Sequence, residues 1–542
     1  MGESSSEISS VAMRWQEEPW SVMAFCHNIW SWSKNLFSRH PVLATAGLVV
    51  LVAVLYALRS LYQPYALLLR IYSGGVIAAV LVLLLWWLAF RRTSVRVKTF
   101  GSAVLVLVIG ALILLASPIH EYVASYFRYR TLELVDLSAL PTTDHERVIP
   151  LNGVYTLAKQ RMNETEMVAP PHLVRVGERY EWTMAVEPAR VIQQLFSPIE
   201  EIINLPSTDA SPDLSRRNAV KVNFDVGESL LLSRQTMTCT RRAFGPSRFL
   251  NYEPSTVLYM KDDNGAWVQV VTLIKWSGIF FPWPEFGGVQ VIPQGNTTVL
   301  GRVFLGCGTW VPPQEVHKHA FLRGQNTVPY EVTRFMAASL RFQAGFLAPL
   351  PGSRIGDIRI ADLPDDVNQQ PFTTYLKMPT QVSQAGTNKL YHAFALEPSD
   401  EDKRGLATSF FAPADGIGPV YAYRHFARNE APLGVSAVSV QVEASRRTYD
   451  WARNRPVEHR FYIRDIADEA GEVRRRLFWL TTVVTLEKKK EGGPAEFTSG
   501  STPEIALTEA GRSVVVWVNP HRSDTWPDEL HKALGHMWTD KP

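Results

Sequence analysis

Three long runs without a charged residue, crowded between positions 41 and 119, constrain this 542-residue chain more than any other feature. PVLATAGLVVLVAVLYAL (41–58) supplies 18 residues, IYSGGVIAAVLVLLLWWLAF (71–90) supplies 20 with a Trp pair near its end, and TFGSAVLVLVIGALILLASPI (99–119) is comparable. A helix needs about 20 apolar residues to cross roughly 30 Å of hydrocarbon. Three such runs in succession predict a three-helix transmembrane anchor rather than the buried helices of a soluble core. Some 40 mostly polar and aromatic residues precede the first run, so it is expected to persist as an anchor and not to be cleaved as a leader.

Orientation follows from Lys and Arg in the short loops. The second and third runs are separated by RRTSVRVK, with Arg91, Arg92, Arg96 and Lys98 in eight residues. Two crossings separate this loop from the N-terminal segment, so it shares a side with Lys34 and Arg39, and that side is expected to be cytoplasmic. Arg128 and Arg130, just past the third run, pull mildly the other way. Everything after about position 120 then lies in a periplasm or extracellular space. In WQEEPWSVMAFCHNIWSWSKNLF (15–37), Val22, Cys26, Ile29, Trp30, Leu36 and Phe37 fall near one helical face, with Trp15, Trp20 and Trp32 around it. Such a helix suits the cytoplasmic membrane interface, where Trp15, Trp20, Trp30 and Trp32 would sit; docking on a partner protein is the alternative.

The remaining chain has a soluble protein's mixture, consistent with 46% apolar and 20% charged residues overall. From Val148 onward, short runs rich in Val, Thr, Tyr and Trp alternate with Gly, Pro, Asn and Asp, which predicts strands and turns. TVLYMKDDNGAWVQVVTLIKW (256–276) reads as a hairpin around Asp263-Asn264-Gly265. The run 475–501 reads as a long strand and a charged turn, and 512–520 as a late strand. Helices are expected over 329–347, where apolar residues recur at helical spacing, over 190–203, and over 526–538. The fold class expected is a three-helix anchor followed by a large β-rich, mixed α+β extracytoplasmic region. Its parts are an N-terminal segment (1–40), the anchor (41–119), a connector (120–147), a first β-rich domain (148–310), a helical linker (311–358) and a second β-rich domain with a short C-terminal helix (359–542).

Those two domains could be related. YEWTMAVEP at Tyr180 is echoed by YHAFALEP at Tyr391, Glu285 by Glu496, and Gly301-Arg302 by Gly511-Arg512, all at offsets of 210 or 211. A tandem duplication predicts that Tyr180 and Tyr391 occupy equivalent strand positions, with a bulge absorbing the one-residue slip. Recurrent strand-and-turn vocabulary is the plainer explanation.

Signatures of chemistry are scarce. ADGIGP (414–419) lacks the glycines and the strand-to-helix setting of a phosphate loop, no Gly-x-Ser-x-Gly elbow occurs, and no Cys-x-x-Cys-His is present. Glu315, His317 and His319, or Asp528, Glu529, His531 and His536, are the nearest approach to a metal-ligand cluster, and solvated side chains explain them as well. No catalytic residue, cofactor or metal site is assigned. A net charge of +3 gives no case for nucleic acid. Cys239 and Cys307 are the two cysteines of the outer region, where they could pair or remain buried thiols. WSGIFFPWPEFGG concentrates Trp276, Phe280, Phe281, Trp283 and Phe286, either an interaction surface or a strand followed by a packed loop. The function expected is a non-catalytic, membrane-anchored subunit of a cell-envelope assembly, with the bilayer, other envelope proteins and its own copies as partners. An extracytoplasmic hydrolase or transferase, and a pore or transporter subunit, are the alternatives.

Overall fold

The computed structural model describes residues 41–90, 117–144, 151–159, 162–176, 179–207, 219–295, 298–350, 356–361, 372–377, 389–399, 405–467, 471–488, 495–497, 504–518, 529–530 and 532–535. The interfacial tryptophans Trp15, Trp20, Trp30 and Trp32, the basic loop Arg91, Arg92, Arg96 and Lys98, and most of the third apolar run lie outside them. The chain divides into two units, Met1–Arg59 and Ser60–Pro542.

In the first unit the described chain is a helix, α1 (Pro41–Ala57), apolar around its whole circumference. The second unit opens with α2 (Arg59–Ile71), whose first residue belongs to the preceding unit, and α3 (Ser73–Phe90), again apolar all round. Among the described residues no single helix is both long and apolar enough to cross a membrane; Thr45–Ala57 and Arg59–Ile71 meet that test by length and composition only when taken together. The stretch between the first two apolar runs, expected as a loop, is therefore helical. Helix α4 (117–131) then leads into the β-rich part, whose first helix is α5 (Leu151–Lys159).

That part is a large mixed α+β structure whose described residues form four sheets. In its earlier half, β3 (Glu166–Val168), β5 (Arg179–Pro188), β6 (Ile199–Pro206) and β7 (Ala219–Phe224) lie side by side, and β4 (His172–Val176) also pairs with β5. A second sheet follows in the order β8 (Tyr252–Lys261), β9 (Trp267–Ser277), β10 (Trp283–Pro293), β11 (Thr309–Val311). The two meet over Ile202, Phe224, Tyr259, Val271 and Leu273. The β8–β9 hairpin turns where the sequence predicts: the Asp262 carboxylate accepts from the Asn264 and Ala266 amides, and Gly265 takes a φ of +80°.

The later half repeats this plan. Strands β12 (Ile358–Ile360), β13 (Phe372–Lys377), β14 (Lys389–Pro398), β15 (Thr408–Pro413) and β16 (Val420–Arg424) form the third sheet. The fourth orders β17 (Asn454–Ala467), β18 (Val473–Lys488), β20 (Glu504–Glu509) and β21 (Val515–Val518), with β19 (Ala495–Phe497) beside β18. Tyr391, Phe411, Phe461, Trp479 and Val438 join these two sheets to helix α10 (Val435–Ser445). The stretch expected as a connector contributes two edge strands here, β1 (Leu134–Asp136) parallel to β16 and β2 (Thr142–Asp144) against β13.

The register is what matters. β3 pairs with the last three residues of β5, from Val186 to Pro188, and β12 with the last three of β14, from Leu396 to Pro398. β4 runs along Arg179–Thr183 and β13 along Lys389–Ala393. Each central strand gives its other edge to the next strand in sequence, over Glu181–Val186 and Tyr391–Leu396. These positions stand 210 apart throughout (179 and 389, 186 and 396, 188 and 398), with no bulge in either strand. Tyr180 therefore matches Leu390, whose carbonyls accept from Ser207 and Ala414 respectively. Tyr391 matches Glu181 instead and faces the other side of its sheet, so the expected pairing of the two tyrosines is off by one residue. Side chains alternate along a strand, and a one-residue error reverses the face.

The helix expected over 190–203 stops at α6 (Val191–Phe196). Pro198 removes an amide that the helix would need, and Ile199 begins β6, burying Ile199, Ile202, Ile203 and Leu205. Around the middle of the chain, α9 (Tyr330–Ser339) and a tighter turn, Leu340–Phe342, occupy the helical pattern of 329–347. The described residues near the C-terminus, 529–530 and 532–535, are helical.

Candidate interaction surface

The repeated Glu-Pro strand end is a buried fastening. Glu187 accepts from the amides of Glu228 (2.6 Å) and Ser229 (2.8 Å), and Glu397 accepts from the Ser436 amide (3.0 Å) and hydroxyl (2.5 Å). Each ties the end of a central strand to the segment before or within the following helical region. Burial pushes both carboxyls above their ordinary value, while the serine and amide donors pull them back. Between Glu166, Glu187, Glu200, Glu201, Gln193 and Ser197 lies a cleft of about 290 Å³. Its lining includes the hydroxyls of Thr165 and Ser197 but no histidine, and Glu187 is already committed to the fold.

The aromatic stretch is gathered at one place, but mostly closed by the chain itself. The Trp276 indole donates to Glu253 (3.1 Å), the Trp283 indole to Glu285 (3.0 Å), and Arg128 of α4 reaches Glu285 at 3.6 Å. Phe127 stacks on Trp283, His120 lies 6.2 Å from Phe281, and Phe286 packs toward Val328 and Val332. Phe280 alone among the five is exposed, by about half of its surface. On this surface α2 and α3 are seated: Gln63 donates to the carbonyls of Phe249 and Tyr252 (both 2.9 Å), Arg70 to those of Gly278 and Ile279, and the Ser73 hydroxyl to Ile279 (3.0 Å). Gly74 is required there, since a Cβ would come within 2.8 Å of the Phe280 carbonyl.

Sequence reasoning missed a second surface altogether. Val191, Ile192 and Phe196 of α6, Leu232, and Val299, Leu300 and Leu305 on and after α8 (Val299–Phe304) are all strongly exposed, Leu232 and Leu305 by about three-quarters. The segments carrying them adjoin and are pinned from beneath. The Arg234 guanidinium donates to the Phe196 carbonyl (2.5 Å) and to that of Asp225 (3.1 Å), Leu231 donates to Gln194 (3.3 Å), and Arg302 faces the Asp225 carboxylate at 3.4 Å. Leu232 also holds a φ of +57°, a left-handed conformation that costs a residue with a side chain about 1–2 kcal/mol. An exposed leucine in a strained turn is unfavourable twice over in water. Such outliers concentrate at functional sites. The apolar periodicity of 190–203 marked the helix that carries Val191, Ile192 and Phe196, but nothing in the sequence linked it to Leu232 or to 299–305, which adjoin it only in the fold.

Cys239, in α7 (Thr236–Arg242), and Cys307 are bonded to each other, with Cα atoms 5.3 Å apart, fastening the base of α8 to α7. Gly306 beside them has a φ of +79°, and a Cβ there would lie 2.2 Å from the Ala243 amide nitrogen. Among the described residues no group of three or more His, Cys, Asp or Glu is placed to hold a metal ion. His317 lies in the tight turn Pro313–Lys318, and His319 stands 4.0 Å from Asp263.

No family model and no curated protein matches the chain. Among solved structures it is similar to the Bacillus megaterium YpeB C-terminal domain, at 8% identity over 69% of this chain and 100% of that one. The TM-score of that match is 0.13, so it carries no argument about fold or function. What the structure defines is a class: a β-rich, mixed α+β protein of several sheets, with apolar helices at its N-terminal side.

Proposed function

We propose that the protein is a non-catalytic, membrane-anchored subunit of a cell-envelope assembly. Two tandem, related β-rich domains stand on the extracytoplasmic side and bind other envelope proteins or further copies of the chain. The observation that carries this reading is the apolar rim of α6, Leu232 and α8, where strain and exposure are maintained together. Other features support the setting. Helices apolar all round, such as α1 and α3, need lipid or a protein partner about them. The Cys239–Cys307 bond fits an oxidising compartment. The common 210-residue register of β5 and β14, with Glu187 and Glu397 in matching clamps, supports duplication.

The test uses the full chain extracted from its native membrane. Leu232→Asp combined with Leu300→Asp is expected to release the protein from a larger particle while leaving its circular dichroism unchanged. A particle of unchanged size would overturn the rim's assigned role.

A further inference from the structure

We infer that α2 lies in the plane of the bilayer surface, and that the face of the earlier β-rich half carrying it rests on lipid headgroups. The inference rests on the membrane-anchored reading above and adds an orientation to it. Helix α2 has two unlike faces. Ser60, Gln63, Leu67 and Ile71 are buried against the protein, at spacings of three or four residues. Opposite them Leu61, Tyr62, Tyr65, Leu68 and Leu69 are exposed. Polar groups thus serve the protein side, where Gln63 satisfies two carbonyls and Ser60 accepts from Arg242 Nε (3.2 Å), whereas leucine and tyrosine form the outer side. That is inverted for a helix facing water and suited to one at a headgroup–acyl boundary, where Tyr is favoured.

Chain continuity selects lipid over a second copy as the occupant. Tyr72 alone separates α2 from α3, so the exposed faces of the two helices follow one another directly along the chain. Helix α3 carries no charge over 18 residues and exposes Val80, Leu81, Leu84 and Leu85. The outer face of α2 is therefore continuous with a surface that itself calls for hydrocarbon. Flanking it, Leu250, Ile279 and Phe280 are exposed on the two loops to which Gln63, Arg70 and Ser73 are bonded. The in-plane helix and both loops form one apolar seat.

Bimane attached to single cysteines of the full-length protein tests this, in vesicles of phosphatidylethanolamine and phosphatidylglycerol at 3:1. In a Cys26→Ser background, labels at Leu61→Cys, Leu68→Cys and Phe280→Cys are compared with Leu81→Cys in α3 and Val473→Cys at the exposed start of β18. The expected result is stronger quenching of the first three by shallow than by deep spin-labelled lipid, with Leu61 and Leu68 at the same depth. Val473 should be quenched only from the aqueous phase and Leu81 by the deep lipid. These two sites lie about 10 Å apart along a helix, so unequal depths would mean that α2 crosses the membrane and the inference fails. Water-only quenching at 61 and 68, or protection from both quenchers, would overturn it equally while a lipid-quenched Leu81 leaves the anchor intact. Water-only quenching at Leu81 as well would overturn the anchor itself.

Discussion

Glu187 and Glu397 show how a motif can be conspicuous without being catalytic. Each is a buried carboxylate at the end of a central strand, and each is used up by backbone and hydroxyl donors. Removing either side chain to Ala is expected to cost about 2–3 kcal/mol, because buried donors lose a charged acceptor. The measurement is the denaturation midpoint of the purified protein. Because burial raises both carboxyl pKa values above the ordinary 4.5, the folded state holds their protons more tightly than the unfolded chain. Their contribution is greatest below the unfolded value and declines as pH rises from there through the folded one.

Two histidines act in the opposite sense. His392, bonded to Thr333 and Asn326, and His459, bonded to Ser439 and Thr481, are buried and pushed down to about 3. Their stabilising contribution is complete above the ordinary 6.5 and is lost as pH falls from there toward about 3. By pH 5 the expected loss is about 2 kcal/mol for each histidine. A pH series of unfolding curves on the His392→Gln, His459→Gln double variant should show a shallower acid dependence than the original. An equal slope would mean that other groups set it.

At the scale of elements, the strands were more legible than the helices. Alternation and turn residues located the β8–β9 hairpin, and Glu-Pro located the ends of β5 and β14. The one-residue slip at Tyr391 misled because sequence similarity weighed the tyrosine above the register, and only backbone pairing distinguishes 390 from 391. Helix α2 was hidden because Pro64 and scattered polar residues resemble a loop, although its Ser60, Gln63, Leu67, Ile71 stripe has helical spacing. The rim of α6, Leu232 and α8 comes together only in the fold. Its support is testable in turn: reducing the Cys239–Cys307 bond frees a loop with a sequence separation of 68, worth about 4 kcal/mol in chain entropy. Gly306→Ala should be similarly damaging, since the new Cβ meets backbone and not a flexible side chain. Thermal unfolding with and without reductant measures the first effect, and yield of folded protein the second.

At the scale of the whole molecule, each half packs an earlier sheet against a later one and a helix, and the apolar rim sits on the earlier half. On the proposed reading, two related halves would act as a presenting scaffold, one held near lipid by α2 while surfaces on either half stay available to partners. No constellation of acids, bases and nucleophiles was legible in the sequence, because residues distant along the chain are brought together only by the fold. The most direct test is the mass of the particle carrying this 61.0 kDa chain, taken from its native membrane in a lipid nanodisc without detergent exchange. The expected result is a defined particle containing further protein, either additional copies or other envelope components, that shrinks when Leu232 and Leu300 are both changed to Asp. A single chain with lipid alone would contradict the proposal.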